Sequence, residues 1–197
     1  RFLHDPAAPG ALVKAALAHV QFETIHPFLD GNGRVGRLLI SIVLHHDGVL
    51  RQPLLYLSLY FKQHRAEYYR RLDLVRTTGD WEAWLDFFLE GVAETAGAAV
   101  GTAHRLLAMF RRDAERIQAL GRASGTALRV HDVLRSRPVA DVDHLARTTG
   151  VAYTTAARAV DGLVELGILR ELTGRRRGRV FAYSSYLEIL SEGGQPL

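Results

Sequence analysis

The sequence contains no cysteine, and none of its apolar runs is long. Without cysteine, the chain can form neither a disulfide framework nor a thiolate zinc site. No apolar run approaches the ~20 residues that a transmembrane helix needs, so we expect no membrane-spanning segment. The first residues, Arg1 to His4, show neither an initiator methionine nor the pattern of a signal peptide. We therefore expect a processed chain or a fragment of a longer protein, located in the cytoplasm.

Neither sign of charge dominates the chain. Its 197 residues include 25 basic and 21 acidic side chains, which give a net charge of +4. Such a small excess argues only weakly for a nucleic-acid partner. With 48% hydrophobic and 23% charged residues, the composition is that of an ordinary globular protein. The length allows one large domain or two small ones.

The densest group of chemically useful residues is the stretch from His26 to Arg37, which reads HPFLDGNGRVGR. Gly31 and Gly33 flank Asn32, so the backbone can turn tightly and direct bare N–H groups at a ligand. The apolar residues that follow predict a buried helix whose positive N-terminal end points at the same place. Together these features predict a cradle for a di- or triphosphate.

Charged and titratable side chains in this stretch complete the predicted site. Arg34 and Arg37 lie one helical turn apart and can converge on one anion. Asp30 is a natural ligand for a magnesium ion that bridges phosphate oxygens. His26 is a natural general base beside it. Because Pro27 disfavours helical geometry at the preceding residue, we expect His26 at the end of a helix.

The residues HPFLDGNGRVGR resemble, without a mismatch, the HPFx[D/E]GNGRxxR signature of the Fic (filamentation induced by cAMP) domain family. Proteins of this family usually transfer AMP from ATP to a protein hydroxyl, so the resemblance implies a protein adenylyltransferase, or AMPylator. It implies ATP and Mg2+ as cofactors, Asp30 as the metal ligand, and three catalytic residues, His26, Asn32 and Arg34. It also implies a set of nucleotide contacts: Phe28, Asp30, Gly31, Asn32, Gly33, Arg34, Gly36 and Arg37.

Two tyrosines, Tyr68 and Tyr69, follow the motif on a helix predicted from about Ser58 to Arg76. Aromatic rings here can stack on an adenine or pack in the core, and helical periodicity alone does not decide between the two. In the Fic family a Tyr-Tyr pair at a similar distance contributes to the adenine pocket, so the resemblance assigns both rings to ATP binding. Some relatives have a polar Asn seven residues after the pair, where this chain has Arg76.

We predict a mainly α chain, with a Fic-type helical bundle over residues 1–122 and a small winged-helix (α+β) domain over residues 123–197. The Gly-Arg-Ala-Ser-Gly stretch at 121–125 is the predicted linker. The resemblance also implies two elements that we do not find in this sequence. These are a β-hairpin flap upstream of the motif, which registers the target's backbone, and an inhibitory helix with a [S/T]xxxE[G/N] motif. We therefore expect weak self-regulation.

The second predicted domain has the pattern of three helices and two short strands. The first helix is marked by apolar residues from Leu128 to Leu134 and ends by Arg137, and the later elements are Val142–Thr149, Tyr153–Leu166, Ile168–Thr173 and Val180–Ser184. This pattern resembles a winged helix-turn-helix, which would make DNA a partner. The cations that would contact DNA are Arg158, Arg175, Arg176, Arg177 and Arg179. Alternatively, the basic hairpin is a solvated loop on a module that docks a substrate or pairs subunits in a homodimer. Asp161 and Glu165 on the third helix would repel a phosphate backbone.

Two alternatives to AMP transfer stay open at this stage. The first is a transcriptional regulator whose Fic unit only senses a nucleotide. The second is the same fold with different chemistry, such as phosphate transfer from an inverted ATP or removal of AMP from a target. Each alternative uses the same phosphate cradle, so the motif alone does not separate them.

Overall fold

The computed structural model of this chain describes residues 2–4, 9–51, 56–175 and 178–192. Across these ranges the protein is mainly α-helical, with one small three-stranded sheet. The chain divides into two compact units, Arg1–Ala99 and Val100–Leu197, and each has its own hydrophobic core. No helix in the described ranges is long and apolar enough to cross a membrane.

The first unit is built from helices, and its core contains Trp84, Phe88 and Ile40. The predicted helix before the motif and the predicted motif helix are both confirmed. The predicted helix over residues 58–76 is instead two helices, which meet at His64 (φ −102°, ψ 36°). In order, the helices that start in this unit are α1 (Ala11–Ile25), α2 (Asn32–His46), α3 (Leu57–Gln63), α4 (Arg65–Thr78) and α5 (Trp81–Gln118).

The second unit contains the end of α5 and a small sheet with the strand order β1-β3-β2, in which both pairings are antiparallel. The three predicted helices and the two predicted strands are confirmed. Helix α7 has the predicted bounds because local signals set them: the Asp141 carboxylate accepts the His144 N–H at 2.7 Å, and Gly150 ends the helix with φ 68°. In order, the elements are α6 (Ser124–Ser136), β1 (Val139–Asp141), α7 (Val142–Thr149), α8 (Tyr153–Glu165), β2 (Leu169–Glu171), β3 (Val180–Tyr183) and α9 (Ser184–Ser191).

The division between the units lies elsewhere than at the predicted linker. The glycine-rich stretch at 121–125 forms a short 3-10 helix, Gly121–Ala123, that leads directly into α6. The two compact units divide between Ala99 and Val100, inside α5. Met109 and Ile117 of α5 are buried in the core of the second unit, so that unit includes the later part of this helix.

A buried polar network ties α5, α6 and β3 of the second unit together. The Tyr183 hydroxyl donates to the Asp113 carboxylate at 2.8 Å and lies 3.1 Å from Nε2 of His131. Arg112 and Arg116 each contact the same carboxylate at 3.2 Å. Burial and the neighbouring carboxylate both raise the pKa of Tyr183. Because an unpaired buried charge is costly, the contacts with Tyr183, Arg112 and Arg116 are needed to offset the burial of the Asp113 carboxylate.

Candidate active site

His26 ends α1 and begins the loop that leads to α2. Its backbone is left-handed (φ 49°, ψ 57°), and no other non-glycine residue in the described ranges has a positive φ. Its N–H donates to the carbonyl oxygen of Phe22 at 3.0 Å, and its side chain is exposed. A left-handed non-glycine residue costs about 1–3 kcal/mol. The surrounding contacts must therefore hold His26 in this geometry.

Asn32 fixes the loop that follows His26. Its side chain is only 2% exposed, and it makes two hydrogen bonds to the backbone of Phe28. Its Oδ1 accepts the Phe28 N–H at 2.9 Å, while its Nδ2 donates to the Phe28 carbonyl at 2.6 Å. An amide side chain has two N–H hydrogens and two lone pairs, so Asn32 keeps one of each for another partner.

The first turn of α2 has backbone features that suit an anion. Gly31 precedes the helix with a left-handed backbone (φ 82°) that glycine adopts without strain. At a helix start, the N–H groups of Asn32, Gly33 and Arg34 have no partner within the helix. The positive end of the helix dipole adds to their attraction for negative charge. The predicted phosphate cradle therefore has a backbone arrangement suited to it.

Asp30 and Arg34 lie opposite each other at the surface of this cradle. A guanidinium nitrogen of Arg34 is 3.3 Å from the Asp30 carboxylate, and these side chains are 76% and 93% exposed. The other carboxylate oxygen of Asp30 accepts the Gly31 N–H at 2.6 Å. An exposed pair of this kind contributes little to stability, so both groups can turn toward a ligand. Within the described ranges, no cluster of three or more His, Asp or Glu side chains could hold a metal ion.

Two buried polar side chains from α1 lie directly beneath the start of α2. Glu23 is 8% exposed and His19 is fully buried. If Gly36 carried a Cβ, that atom would lie 2.5 Å from Oε1 of Glu23 and 3.2 Å from the His19 ring. Only glycine at this position allows α1 and α2 to approach so closely. Neither Oε1 of Glu23 nor Nδ1 of His19 has a hydrogen-bond partner among the described residues.

Burial is the main influence on the pKa values of this polar layer. It lowers the pKa of His19 to about 4; the backbone of Gly36 acts in the opposite direction, and the positive charge of Arg37 lowers the pKa a little further. It raises the pKa of the Glu23 carboxyl, although Arg37, His26 and Arg76 act in the opposite direction. From the sequence, His19 is predicted only as a structural histidine, and Glu23 was missed. Their spacing of four on α1, one helical turn, was the only available signal that they share a face.

We expect the stability of the first unit to fall as the pH drops from 7 to 4.5, with His19 as a main cause. Unfolded His19 has its ordinary pKa of 6.5 and folded His19 about 4, so the unfolded chain binds more protons between these values. The stabilisation is complete above pH 6.5 and is lost as the pH falls toward 4. Over the whole interval, the lowered pKa of His19 corresponds to a loss of about 3 kcal/mol in the free energy of unfolding. Urea unfolding followed by tryptophan fluorescence measures it, because Trp81 and Trp84 both lie in the first unit.

His19→Gln is the matched control for this pH dependence. Glutamine is neutral at every pH, so the variant should lose less stability between pH 7 and 4.5 than the wild type. Glu23, whose pKa is raised on folding, contributes with the opposite sign in both proteins, so the difference between them isolates His19. Equal pH dependence in both proteins would show that His19 is not the source.

The two predicted adenine contacts have different surroundings. Tyr68 is 3% exposed, its ring stacks on Phe61 with 4.7 Å between centroids, and its hydroxyl lies 2.9 Å from Nε2 of His19. Tyr68 has no open face for a base. It is a core residue, contrary to the predicted contact with adenine. Tyr69 is 55% exposed and has the Arg65 guanidinium 5.8 Å from its ring centroid. Of this pair, Tyr69 is the ring that a nucleotide could reach, together with the exposed Phe28 in the motif loop.

The predicted DNA-binding cations of the second unit also divide into groups. Arg158 and Arg175 are exposed, while Arg176 and Arg177 lie outside the described residues. Arg179 pairs with Glu171 at 2.9 Å and with Asp161 at 3.2 Å, and it lies over the Phe181 ring. These contacts correct its predicted role, because its guanidinium is already engaged within the unit. Arg122, which no sequence pattern singles out, lines a groove of about 240 Å³ together with Arg158.

Comparison with known proteins is informative for the N-terminal part of the chain. Residues 3–44 match the model of the Fic/DOC family. A probable protein adenylyltransferase of Aquifex aeolicus (strain VF5) is 54% identical over 37 residues, which are 19% of this chain and 12% of that protein. The protein adenylyltransferase Fic of Drosophila grimshawi is 38% identical over 81 residues, which are 41% of this chain and 15% of that protein. The chain therefore spans a small part of the curated relatives it matches.

A solved structure is also similar to this chain. It is the crystal structure of a Fic family protein from Desulfovibrio desulfuricans G20, with 21% identity and a TM-score of 0.49 over 92% of this chain and 51% of that one. The family match and the curated relatives show that the N-terminal part of this chain is similar to Fic-domain proteins, and the matching signature lies in the loop between α1 and α2.

Proposed function

We propose that this protein is an enzyme that transfers AMP from ATP to a Ser, Thr or Tyr hydroxyl of a protein target in the cytoplasm. The observation that carries the proposal is a left-handed, exposed His26 at the end of α1, followed by a short loop and the N–H groups that begin α2 without partners in the helix. The relatives named as protein adenylyltransferases support this reaction over other uses of the same cradle. A site that only sensed a nucleotide would have no use for a strained, solvent-facing base.

The triphosphate would bind across the first turn of α2. The N–H groups of Asn32, Gly33 and Arg34 supply donors, whereas the Gly31 N–H is occupied by Asp30. The guanidinium of Arg34 exchanges the Asp30 carboxylate for the departing pyrophosphate, and Arg37 reaches the terminal phosphate. Tyr69 is the accessible ring for the adenine base.

The reaction needs one proton acceptor and a set of donors at the α-phosphate. His26 accepts the proton of the target hydroxyl, whose oxygen forms a bond to the α-phosphorus. The bond between that phosphorus and the bridging oxygen breaks, and pyrophosphate leaves. The remaining N–H of Asn32 and the backbone N–H groups beside it stabilise the charge that builds on the α-phosphate. The product is an AMP ester of the target side chain.

The donor set of the site fits a magnesium ion that is bound mainly by its substrate. Asp30 offers one exposed carboxylate, and Mg2+ is commonly held by one or two carboxylates together with phosphate oxygens and water. When bound, the ion would neutralise charge on the α- and β-phosphates. The chain's own contribution is to place the Asp30 carboxylate at the edge of the cradle.

The test compares ATP labelled at the α-phosphate with ATP labelled at the γ-phosphate, each with magnesium and a mixture of acceptor proteins. We expect the α label, and not the γ label, on an acceptor, with an AMP mass shift in the modified peptide. Transfer of the γ label would identify a phosphotransferase. Loss of AMP from a previously modified acceptor would identify the reverse activity. Absence of all three reactions would favour a nucleotide sensor.

For the second unit, we propose a winged helix-turn-helix that binds DNA. The element order α6, β1, α7, α8, β2 and β3 supports it, because three helices followed by a hairpin characterise that fold. Helix α8 exposes Tyr153, Thr154 and Arg158 at its N-terminal end, where recognition helices contact bases. Arg122 and Arg158 make no ion pair with any described residue, so both are available to phosphates.

Duplex DNA binding, measured by fluorescence anisotropy at two salt concentrations, tests this second proposal. Replacing Arg122 or Arg158 with alanine should weaken binding and reduce its salt dependence by about one phosphate contact each. Arg135→Ala is the control, because Arg135 is an exposed cation on α6 that pairs with Asp132. If the wild type does not bind duplex DNA at low salt, a protein-docking or dimerisation module is the better assignment.

A further inference from the structure

An arginine from another helix holds the last turn of α1. Arg76 lies near the end of α4, 50 residues after His26 in the sequence. Its Nη2 donates to the carbonyl oxygen of Glu23 at 3.0 Å, and its Nε donates to the hydroxyl of Thr24 at 3.4 Å. Both acceptors belong to the turn that immediately precedes His26. Within the first unit, Arg76 therefore links α4 to the end of the helix that carries the proposed base.

The Glu23 carbonyl needs this donor because of the residue that follows His26. In a helix, the carbonyl of residue 23 would accept the N–H of residue 27. Residue 27 is a proline, which has no N–H to donate. The carbonyl of Phe22 accepts the His26 N–H. The carbonyl of Glu23 has no helical donor and accepts a hydrogen bond from Arg76 instead. Arg76 thus replaces the hydrogen bond that the motif proline removes.

The charge of Arg76 suits the same position. The C-terminal end of a helix carries partial negative charge, which a cation stabilises. Thr24 extends the arrangement, because its hydroxyl donates to the Val20 carbonyl at 2.8 Å while it accepts from Arg76. The positive charge also acts on the Glu23 carboxyl, whose pKa Arg76 lowers against the larger effect of burial. The Arg76 guanidinium thus interacts with three groups of α1: the Glu23 carbonyl, the Thr24 hydroxyl and the Glu23 carboxyl.

We propose that Arg76 is a positioning residue that holds His26 in its left-handed, active orientation. This inference rests on the proposed role of His26 as the general base. A left-handed histidine is strained, and the strain persists only where neighbouring contacts fix the chain on both sides. Asn32 fixes the loop after His26 through the backbone of Phe28, and Arg76 fixes the helix before it. Without Arg76, His26 would sample other backbone conformations and would meet the target hydroxyl less often.

The test uses Arg76→Ala, Arg76→Lys and a matched control, Arg70→Ala. Arg70 lies on the same helix and pairs with Glu67, without any bond to α1. Lysine keeps the charge and one donor but cannot reproduce the two-pronged contact, so it should restore part of what alanine loses. The first readout is hydrogen exchange, by mass spectrometry, of a peptide that covers residues 22–26. We expect exchange about tenfold faster in Arg76→Ala, equivalent to about 1.4 kcal/mol, and unchanged exchange in Arg70→Ala.

The second readout is AMP transfer at a temperature where all variants are folded. In Arg76→Ala, kcat should fall about tenfold, or ~1.4 kcal/mol in barrier height, while the KM for ATP stays within about twofold. Arg76→Lys should be intermediate, and Arg70→Ala should match the wild type. Faster exchange without a lower kcat would overturn the positioning role, as would unchanged exchange in Arg76→Ala. If the wild type shows no AMP transfer, the proposed function fails, while faster exchange still supports the hold of Arg76 on His26.

Discussion

Replacement of His26 by alanine or asparagine is expected to abolish AMP transfer and to leave ATP binding close to that of the wild type. A general base contributes about 10²- to 10⁴-fold to the rate of such a step. The His26 imidazole is exposed and makes no hydrogen bond to any described residue, so its removal should cost little stability. Asparagine is the sharper substitution, because it tolerates the left-handed backbone that His26 adopts while it cannot accept the proton.

Two measurements check this prediction: transfer of α-labelled AMP to an acceptor, and ATP affinity by calorimetry. His104→Ala serves as a control, since His104 is an exposed histidine of the second unit. It should retain wild-type transfer. If His26→Asn still labels the acceptor at a comparable rate, the proton goes to another group and the base assignment is wrong. If His26→Asn loses ATP binding as well, His26 acts in nucleotide binding instead.

Asn32→Ala is expected to lower kcat by about 10²- to 10³-fold, which corresponds to about 2.7–4 kcal/mol of lost transition-state stabilisation. Two effects combine in this variant. The N–H that we propose to donate to the α-phosphate is removed, and the N–H and carbonyl of Phe28 lose their partners. The second effect releases the loop between His26 and α2. It should also lower the stability of the first unit by about 1–3 kcal/mol.

Asn32→Asp is a second test of the same position. The carboxylate can still accept the Phe28 N–H, but its other oxygen faces the Phe28 carbonyl oxygen and its charge is buried, so the stability loss should be at least as large as in Asn32→Ala. Transfer should be at least as slow, because a negative charge now faces the phosphate. Kinetics with α-labelled ATP and urea unfolding followed by tryptophan fluorescence measure both quantities. Transfer by Asn32→Ala within about tenfold of the wild type would contradict the role of Asn32.

Local signals in the sequence were sufficient to predict the core of the candidate site. Pro27 predicts the end of α1 at His26, and the glycines around Asn32 predict the turn into α2, because these residues restrict or free the backbone where they stand. The same holds for α7, which begins at an Asp cap and ends at a glycine. None of these features depends on a contact with a distant part of the chain.

The features that the sequence did not reveal depend on contacts that form only in the fold. Arg76 and Glu23 are 53 residues apart, so no local pattern joins them. Tyr68 could be a core residue or a surface residue by periodicity, and packing against Phe61 decides the matter. Arg179 is engaged because the β2–β3 pairing brings Glu171 within reach. Strand β1 has only three residues, too few for an alternating pattern, and exists through its pairing with β3.

The buried carboxylate of Asp113 determines where the chain can be cut for separate study of its two units. A fragment that starts at residue 123 would lack Asp113, and the Tyr183 hydroxyl would then remain in the core without its acceptor. It would also lack Met109 and Ile117, which fill the same core. A fragment that starts at Val100 keeps all three residues. DNA-binding measurements on the isolated second unit should therefore use the longer fragment, since loss of binding in the shorter one would report unfolding.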